Sequence, residues 1–580
     1  MTKKSKCIPA WYEGPTPSGT YRSLFKWGDL AGFKHPNSGL VKLLIDTFNL
    51  SCEELMVPES LALETVSENT PSNLKERHLK ELIRICGKEN VRTDTFDRVA
   101  KSYGRGMIDA LRLRRHIIEN IPDAVVAPRN QAEIEEIIAH CEKNQIPVYI
   151  YGAGSTVTRG LEAVKGGISL DMSKHMNQVV KFNEVDQNIT VQAGMTGPQL
   201  EDLLNNAPEK LNAKRRYTCG HFPQSFEYSS VGGWVVTRGA GQNSTYYGKI
   251  EDIVIAQEYV TPRGVFKTTE HPRSANGPDF DQIMMGSEGV FGVLTTVTLR
   301  VFRWQPKNRK RFSYMFKNWN DSREACREIM QSEFGFPSAF RLSDPEETDV
   351  AMKLYHIERT PADSVLKILG YRPMEKCLLL GHTDGERAFS ANVDRKIRKI
   401  CLKYNAFELS LAQVTKNWEK GRFRDPYMRE DLQDFGVLID TLECAVTWSQ
   451  MESVHRAVRG FIKNRTQTVC MTHLSHAYPQ GGNLYFIFIA KINTIKEYLD
   501  LQYGVLDVIQ KSGAALSHHH GVGKQSSPWL EEQIGTAQMD VIRALKQHFD
   551  PHNIMNPGGT LGLDMNPDQK AKRWSKNLED

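Results

Sequence analysis

The stretch Tyr151-Gly152-Ala153-Gly154-Ser155-Thr156, directly after the apolar run Pro147 to Ile150, decides how this chain folds. Glycines at the end of a strand let backbone N–H groups close on a phosphate, because no Cβ stands in the way, and neighbouring hydroxyls add hydrogen bonds. The pattern is not G-x-G-x-x-G, since Val157 stands where the third glycine belongs. Taken alone, it also fits an ordinary turn. Three later stretches shift that balance: Ser229-Ser230-Val231-Gly232-Gly233-Trp234; Thr237 to Gly241, followed by Tyr247 to Asp252; and Gly286-Ser287-Glu288-Gly289-Val290-Phe291-Gly292-Val293-Leu294. Each glycine costs conformational entropy, so four glycine-dense loops in this short span point to backbone approaching a large flat ligand.

Strands and helices alternate at short intervals around these loops, from Val125 to Arg300. The spacing predicts strands at 147–151, 167–171 and 190–193, and helices at 132–143 and 197–204. Residues 1 to about 70 are turn-rich and read as an irregular extension. Basic helical patterns follow at 72–87 and 103–120. The segment from Val301 to Gly535 begins helix-rich, with strands expected at 435–446 and 484–490; a single helix is expected over 530–549. The organisation is an extension and helical segment (1–120), a cofactor domain (121–302), a substrate domain (303–535) and a C-terminal segment returning to the cofactor domain (536–580).

The chain has 580 residues, 40% hydrophobic and 25% charged, with a net charge of +5. These are ordinary globular values, and the charge is too mild to call for nucleic acid. Lys307-Asn308-Arg309-Lys310-Arg311 reads as a solvated loop. Ten cysteines without a C-x-x-C pair suggest reduced thiols. No run is long enough to span a bilayer, so contact with membrane is expected to be peripheral. Neither a secretory leader nor a peroxisomal tripeptide is legible.

The remaining unusual feature is Ser517-His518-His519-His520-Gly521-Val522-Gly523-Lys524. Three adjacent imidazoles are poor helix and strand formers and repel when charged, so proton transfer or an anionic substrate is a better reason for them than packing. A solvated loop is the plain alternative. No further His or Cys stands nearby at ligand spacing, so no metal is expected.

Together, Pro122 to Val126, the Gly152 loop, Ala193-Gly194, Val231-Gly232-Gly233 and Gly286-Ser287-Glu288-Gly289 resemble the FAD-binding domain of the vanillyl-alcohol-oxidase / p-cresol-methylhydroxylase superfamily. The resemblance implies an α+β fold: a two-part FAD-binding domain with a substrate (cap) domain built on a mixed sheet with helices. It also implies that Gly152, Ala153, Gly154, Ser155, Thr156, Val157 and Thr158 cradle the pyrophosphate. Pro223, Gln224, Ser225, Ser229, Ser230, Gly232, Gly233, Thr237, Arg238, Gly239, Ala240, Glu288, Gly289, Val290, Phe291, Gly292, Val293 and Leu294 would line the rest of the FAD. No histidine stands between Tyr149 and Gly160, so non-covalent FAD is the expectation.

Within that superfamily, Ser102-Tyr103-Gly104, Arg112-Leu113-Arg114, Gly220-His221, Pro337 to Leu342, Tyr427-Met428-Arg429, Tyr478 and His518 to Lys524 resemble the alkyldihydroxyacetonephosphate synthase family of ether-lipid synthesis. That family carries acidic residues where this chain has Phe222 and Gln224. The resemblance implies exchange of the acyl group of acyl-dihydroxyacetone phosphate for a long-chain fatty alcohol, through a covalent flavin N5 adduct with no net redox. Tyr478 would be the acid/base at C1 and Arg429 the cation near the flavin. His518, His519 and His520 would handle phosphate and leaving group, and Arg341 would bind phosphate or form a salt bridge. A homodimer with peripheral membrane contact, peroxisomal or glycosomal, is implied as well. The rivals are a D-2-hydroxy-acid dehydrogenase of the same fold, which passes hydride to the flavin, and a lipid-binding scaffold that has lost activity.

Overall fold

The computed structural model describes residues 7–67, 70–355, 357–358, 360–409 and 412–572. Val148–Tyr151 is apolar on both faces, as a strand inside a parallel sheet must be. It pairs in parallel with Ile168–Asp171, which pairs in parallel with Ala124–Val126; Val91–Arg92 closes the edge antiparallel. The crossover between Ala124–Val126 and Val148–Tyr151 is helix Gln131–Asn144. The Asn130 side chain caps its first turn, and Gln145 ends it in a left-handed conformation. Ile134, Ile137, Ile138 and Cys141 are its buried stripe. A second sheet, antiparallel throughout, carries Val179–Asn183, Asn188–Gln192, Val293–Arg300, Val254–Thr261 and Gly264–Lys267 in that spatial order.

The cap stands on a seven-stranded antiparallel sheet, ordered Phe407–Glu408, Lys310–Phe316, Cys377–Thr383, Ala339–Ser343, Thr468–Tyr478, Gly481–Lys491 and Val437–Thr447. Alternation along Gly481–Lys491 sorts its two faces. Leu484, Phe486, Phe488 and Ala490 enter the core beneath helices Met451–Asn464 and Ile495–Lys511. Tyr485 and Ile487 face the opposite way, into a cavity.

The structure corrects four sequence expectations. The helix foreseen over 530–549 is two, Ser527–Ile534 and Thr536–Phe549, because Gly535 takes φ 83 between them. The cationic run 307–311 is no solvated loop. Lys310 begins a strand, Arg309 Nε lies 2.6 Å from Asp384 and Arg311 Nε 2.7 Å from Glu419, carboxylates too distant in sequence to be foreseen. The irregular extension contains helices Tyr21–Phe25 and Ser38–Phe48, the second packing Leu40, Val41 and Leu44 on Met428, Leu432 and Ile489. The basic patterns shrink to Glu76–Cys86 and Met107–Arg114. Beyond Asp550 the chain returns to the first sheet: Val148 N–H donates to Ile554 O (2.8 Å) and Asn556 N–H to Val148 O (2.8 Å). Among the described residues, no helix is long and apolar enough to cross a membrane.

Phe488, on strand Gly481–Lys491 of the cap sheet, is fully buried in the core under its helices. Phe488→Ala should destabilise the protein by about 3–5 kcal/mol through the cavity it leaves, read as a lower denaturant midpoint with an unchanged slope.

Candidate active site

A cavity of about 340 Å³ lies between the glycine loops and the cap sheet, within the range of cofactor and substrate sites. One wall is the cradle Gly152 to Val157 with Ser229, Ser230, Gly232, Gly233, Thr237, Gly239, Ala240, Glu288 and Gly289. A Cβ on Gly152 would stand 2.3 Å from Ser230 Oγ, and one on Gly232 would stand 2.7 Å from the Ala193 Cβ. At Gly232 the Ala193 carbonyl oxygen would be 2.8 Å away as well, so only glycine lets those two backbones close on each other. Among the described residues, none of the backbone N–H groups from Ala153 to Val157 finds a hydrogen-bond partner. These donors fit the diphosphate of FAD, as an anion nest does.

The facing wall comes from alternate residues of the cap sheet: Ile439 and Thr441, His473 and Ser475, Tyr485 and Ile487. Strand register sets Glu443 opposite Tyr485 and Tyr485 opposite His473, a polar row across three strands. The Tyr485 ring lies near-parallel to His473 (centroids 4.9 Å) and to His519 (5.9 Å), and meets His520 edge-on. Its hydroxyl donates to Thr441 Oγ1 at 3.1 Å, and burial raises its phenol to about 12.

The triple-histidine loop hangs on two carboxylates. Glu443, wholly buried, accepts from Ser517 Oγ (2.7 Å) and from the backbone N–H groups of His518 (2.7 Å), His519 (3.1 Å) and His520 (3.0 Å). Glu288, from the glycine loop 286–294, accepts from Val522 and Gly523 N–H, both at 2.7 Å. Gly523 has φ 56, and a Cβ there would lie 1.9 Å from Thr158 O. Nitrogens of His519 and His520 and a Glu443 oxygen lie within 4.8 Å of one another, in principle a metal triad. Glu443 is already taken up by four donors, which accounts for its presence.

Of the residues singled out in the sequence, Arg341, Arg429, His519 and His520 line the cavity. Tyr478 does not, and neither does His518. His476 takes a left-handed φ of 48 within a register shift between Ser475 and Tyr478, so the alternation breaks there. Tyr478 OH lies instead 3.2 Å from Ser244 Oγ and 3.1 Å from His518 Nε2. Arg341 forms an ion pair with Glu347, itself 3.2 Å from His473. Arg429 Nη2 donates to Arg105 O at 2.8 Å, while its buried Nε has no partner, a second feature that suits a bound polar group.

In the cradle, Pro223, Gln224, Ser225 and Leu294 join the lining, whereas Thr158, Arg238, Val290, Phe291, Gly292 and Val293 stand outside it. Thr158 turns its carbonyl to Lys524 and Gln525 N–H, and Arg238 reaches outward to Glu251 and Gln282. Val290, Phe291 and Val293 are core, and Gly292 packs against Val260 O. Where acids were expected, the Phe222 ring lies beneath buried Arg422 (5.5 Å) and Gln224 donates to Arg422 O. Burial lowers the Arg422 guanidinium to about 10. Sequence reasoning missed Tyr485, Glu443, His473 and Trp27. A hydroxyl and a carboxylate inside otherwise apolar strand runs were the signal for the first two.

Two family matches cover most of these residues: "FAD binding domain" over 122–270 and "FAD linked oxidases, C-terminal domain" over 305–560. The chain is 29% identical over 518 residues to the alkyldihydroxyacetonephosphate synthase of Dictyostelium discoideum, covering 86% of this chain and 82% of that protein. A solved alkyldihydroxyacetonephosphate synthase superposes with a TM-score of 0.77 at 24% identity, over 93% of this chain and 99% of the other. Substrate-bound p-cresol methylhydroxylase gives 0.64 at 16% identity, over 86% and 99%. The fold is therefore the one expected from the sequence, and FAD is its cofactor.

Buried imidazoles make the site sensitive to acid. His221 and His476 are lowered to about 3, chiefly by burial, and His518 and His519 are also held well below their ordinary value. A lowered folded pKa gives stability that is complete above the unfolded value near 6.5 and is lost as pH falls, at about 1.4 kcal/mol per unit for each group. Glu288, raised to about 7 by burial, runs the other way, losing stability as pH rises towards 7. The imidazoles outnumber it, so the melting temperature should drop as pH falls below about 6.5, and His476→Gln should make that drop shallower.

Proposed function

This chain is an FAD-dependent enzyme of the FAD-linked oxidase type with alkyldihydroxyacetonephosphate synthases among its relatives, and we propose that it makes ether lipid. In this reading it exchanges the acyl group of 1-acyl-dihydroxyacetone phosphate for a long-chain alcohol, releasing a fatty acid. The observation carrying the proposal is Tyr485, held between His473 and His519 with Glu443 behind the histidine loop. FAD, held non-covalently, supplies an electron-poor ring that can stabilise negative charge at carbon and give it back without net redox.

The side chains do the proton work. A phenol raised to about 12 stays protonated at neutral pH, so Tyr485 acts first as a donor, its hydroxyl turning from Thr441 to the ketone oxygen beside C1. The imidazoles of His519 and His520, neutral because burial lowers them, are free to accept the C1 proton. Nδ1 of each lies 3.7 Å and 3.8 Å from the Glu443 carboxylate, which stabilises the imidazolium formed. The same groups then return a proton as fatty acid leaves and take one from the incoming alcohol. Arg429 and Arg341 are the cations for phosphate and for charge developing beside the cradle.

Long chains need an apolar route. Trp418 lines the cavity and packs against the cluster of Met315, Met352, Leu366, Tyr371, Leu378 and Leu380. Over that cluster, helix Pro361–Ile368 leaves Val365, Ile368 and Leu369 exposed to 49%, 85% and 43%, beside Lys367 and Arg372. An apolar surface with a basic edge suits peripheral docking on a membrane. By family resemblance, the enzyme acts as a homodimer at the peroxisomal or glycosomal membrane, on its lumenal side.

Purified yellow protein should transfer labelled hexadecanol into alkyl product without an electron acceptor. Tyr485→Phe should lower the rate by about 10²–10⁴-fold with FAD retained, and Tyr478→Phe by much less. Complete anaerobic reduction of the flavin by D-lactate, with no alkyl product, would replace this reading with the dehydrogenase.

A further inference from the structure

We infer that the segment Thr20–His35 is a strap belonging to the active site, and that Trp27 is the residue through which it positions Arg429. The inference deepens the proposed function and rests on it for the role of Arg429. Both family matches begin after this segment, and the turn-rich sequence suggests only a loose extension. Yet Trp27 lines the cavity. Its ring lies 5.3 Å from the Arg429 guanidinium carbon, within cation–π range. Among the described residues, no carboxylate pairs with Arg429. The Trp27 ring and the Arg105 carbonyl are what hold its side chain.

The strap is fixed as an active-site wall would need to be. Arg22 and Lys26 are buried, and each pairs with the helix that carries Arg429: Arg22 with Asp434 (2.7 Å), Lys26 with Glu430 (2.7 Å). The Trp27 N–H donates to Glu430 Oε1 (2.5 Å), and the Asp29 N–H to Tyr427 OH (2.8 Å). Two glycines let the backbone pass between the two halves of the site. A Cβ on Gly28 would stand 2.1 Å from the Tyr228 ring, next to cradle residue Ser229, and one on Gly32 would stand 2.6 Å from Tyr427. One short segment therefore touches the cofactor loop, the arginine helix and the cavity. Buried ion pairs of this kind are costly to break, since removing one partner strands the other in a dry environment.

The test uses full-length, FAD-loaded protein bearing Trp27→Ala, Trp27→Phe, Arg429→Lys and the Trp27→Ala/Arg429→Lys pair. Visible flavin spectra, kcat and KM are measured for each. Trp27→Ala should lower kcat about tenfold with KM for the phosphate substrate nearly unchanged, and should shift the flavin band. Trp27→Phe should restore most of both, because a ring face remains for the guanidinium. In the pair, the two losses should fall well short of multiplying, as for residues acting as a unit. A Trp27→Ala protein with wild-type spectrum and kcat overturns the inference, and so do losses that multiply in full. If Trp27→Ala fails to fold, Trp27→Leu, which fills the space without a ring face, carries the same comparison alone and with Arg429→Lys. The spectral arm needs no substrate. Wild-type protein without alkyl product, but with a Trp27-dependent flavin band, would remove the proposed reaction and leave the strap standing.

Discussion

A single buried carboxylate, Glu443, organises the cap side of the cavity. Four donors converge on it, three of them consecutive backbone N–H groups of the histidine loop. A loop of three imidazoles has no regular structure to hold it, and its rings would repel if charged. Backbone donors aimed at one anion fix the loop without using any ring nitrogen, so the His520 ring and the second nitrogen of His519, whose Nδ1 lies 3.2 Å from His518 Nδ1, remain available. The same anion favours the charged state of whichever imidazole takes a proton. Its place midway along Val437–Thr447, the edge strand of the cap sheet, opposite Tyr485 in register, ties loop geometry to sheet geometry.

The cofactor half is organised by absence of bulk. The Gly152 loop meets Ser230, the Gly232 helix turn meets Ala193, and Gly523 meets the Thr158 carbonyl, each at a separation a side chain would prevent. Lys524, lowered to about 8 by burial, donates to Asn556 and Thr560 and so ties the histidine loop to the C-terminal return of the chain. Cradle and catalytic row are thus connected by covalent neighbours as well as by packing.

The cradle was legible in the sequence because glycine-dense loops after apolar strands have few other physical reasons to exist. The helix at 131–144 and the strand at 148–151 were legible from periodicity, each within a residue or two. Tyr485 was hidden in plain view: it lies in the most apolar strand of the chain, where alternation decides which side chains meet solvent, core or ligand, and a single sequence does not say which face is which. Tyr478 is pointed to by the family resemblance alone; the left-handed His476 and the register shift beside it set its hydroxyl against Ser244 and His518, and nothing in the local residues announces that conformation. The ends of Val290 to Val293 belong to the core for the same reason, since a glycine-rich run passes from ligand contact to packing without any change in composition. The strap was illegible because its partners, Glu430 and Asp434, lie some four hundred positions away.

Glu288, in the loop that leads into strand Val293–Arg300, and Glu443, on the cap sheet, grip the same short loop from opposite ends, through five backbone donors. Rocking one sheet against the other would therefore pull the loop off at least one anchor and expose a buried carboxylate. The two halves are thus welded at the histidine loop, and under the proposed function a long chain would pass by yielding of the outer cap helices over the apolar cluster rather than by the halves parting.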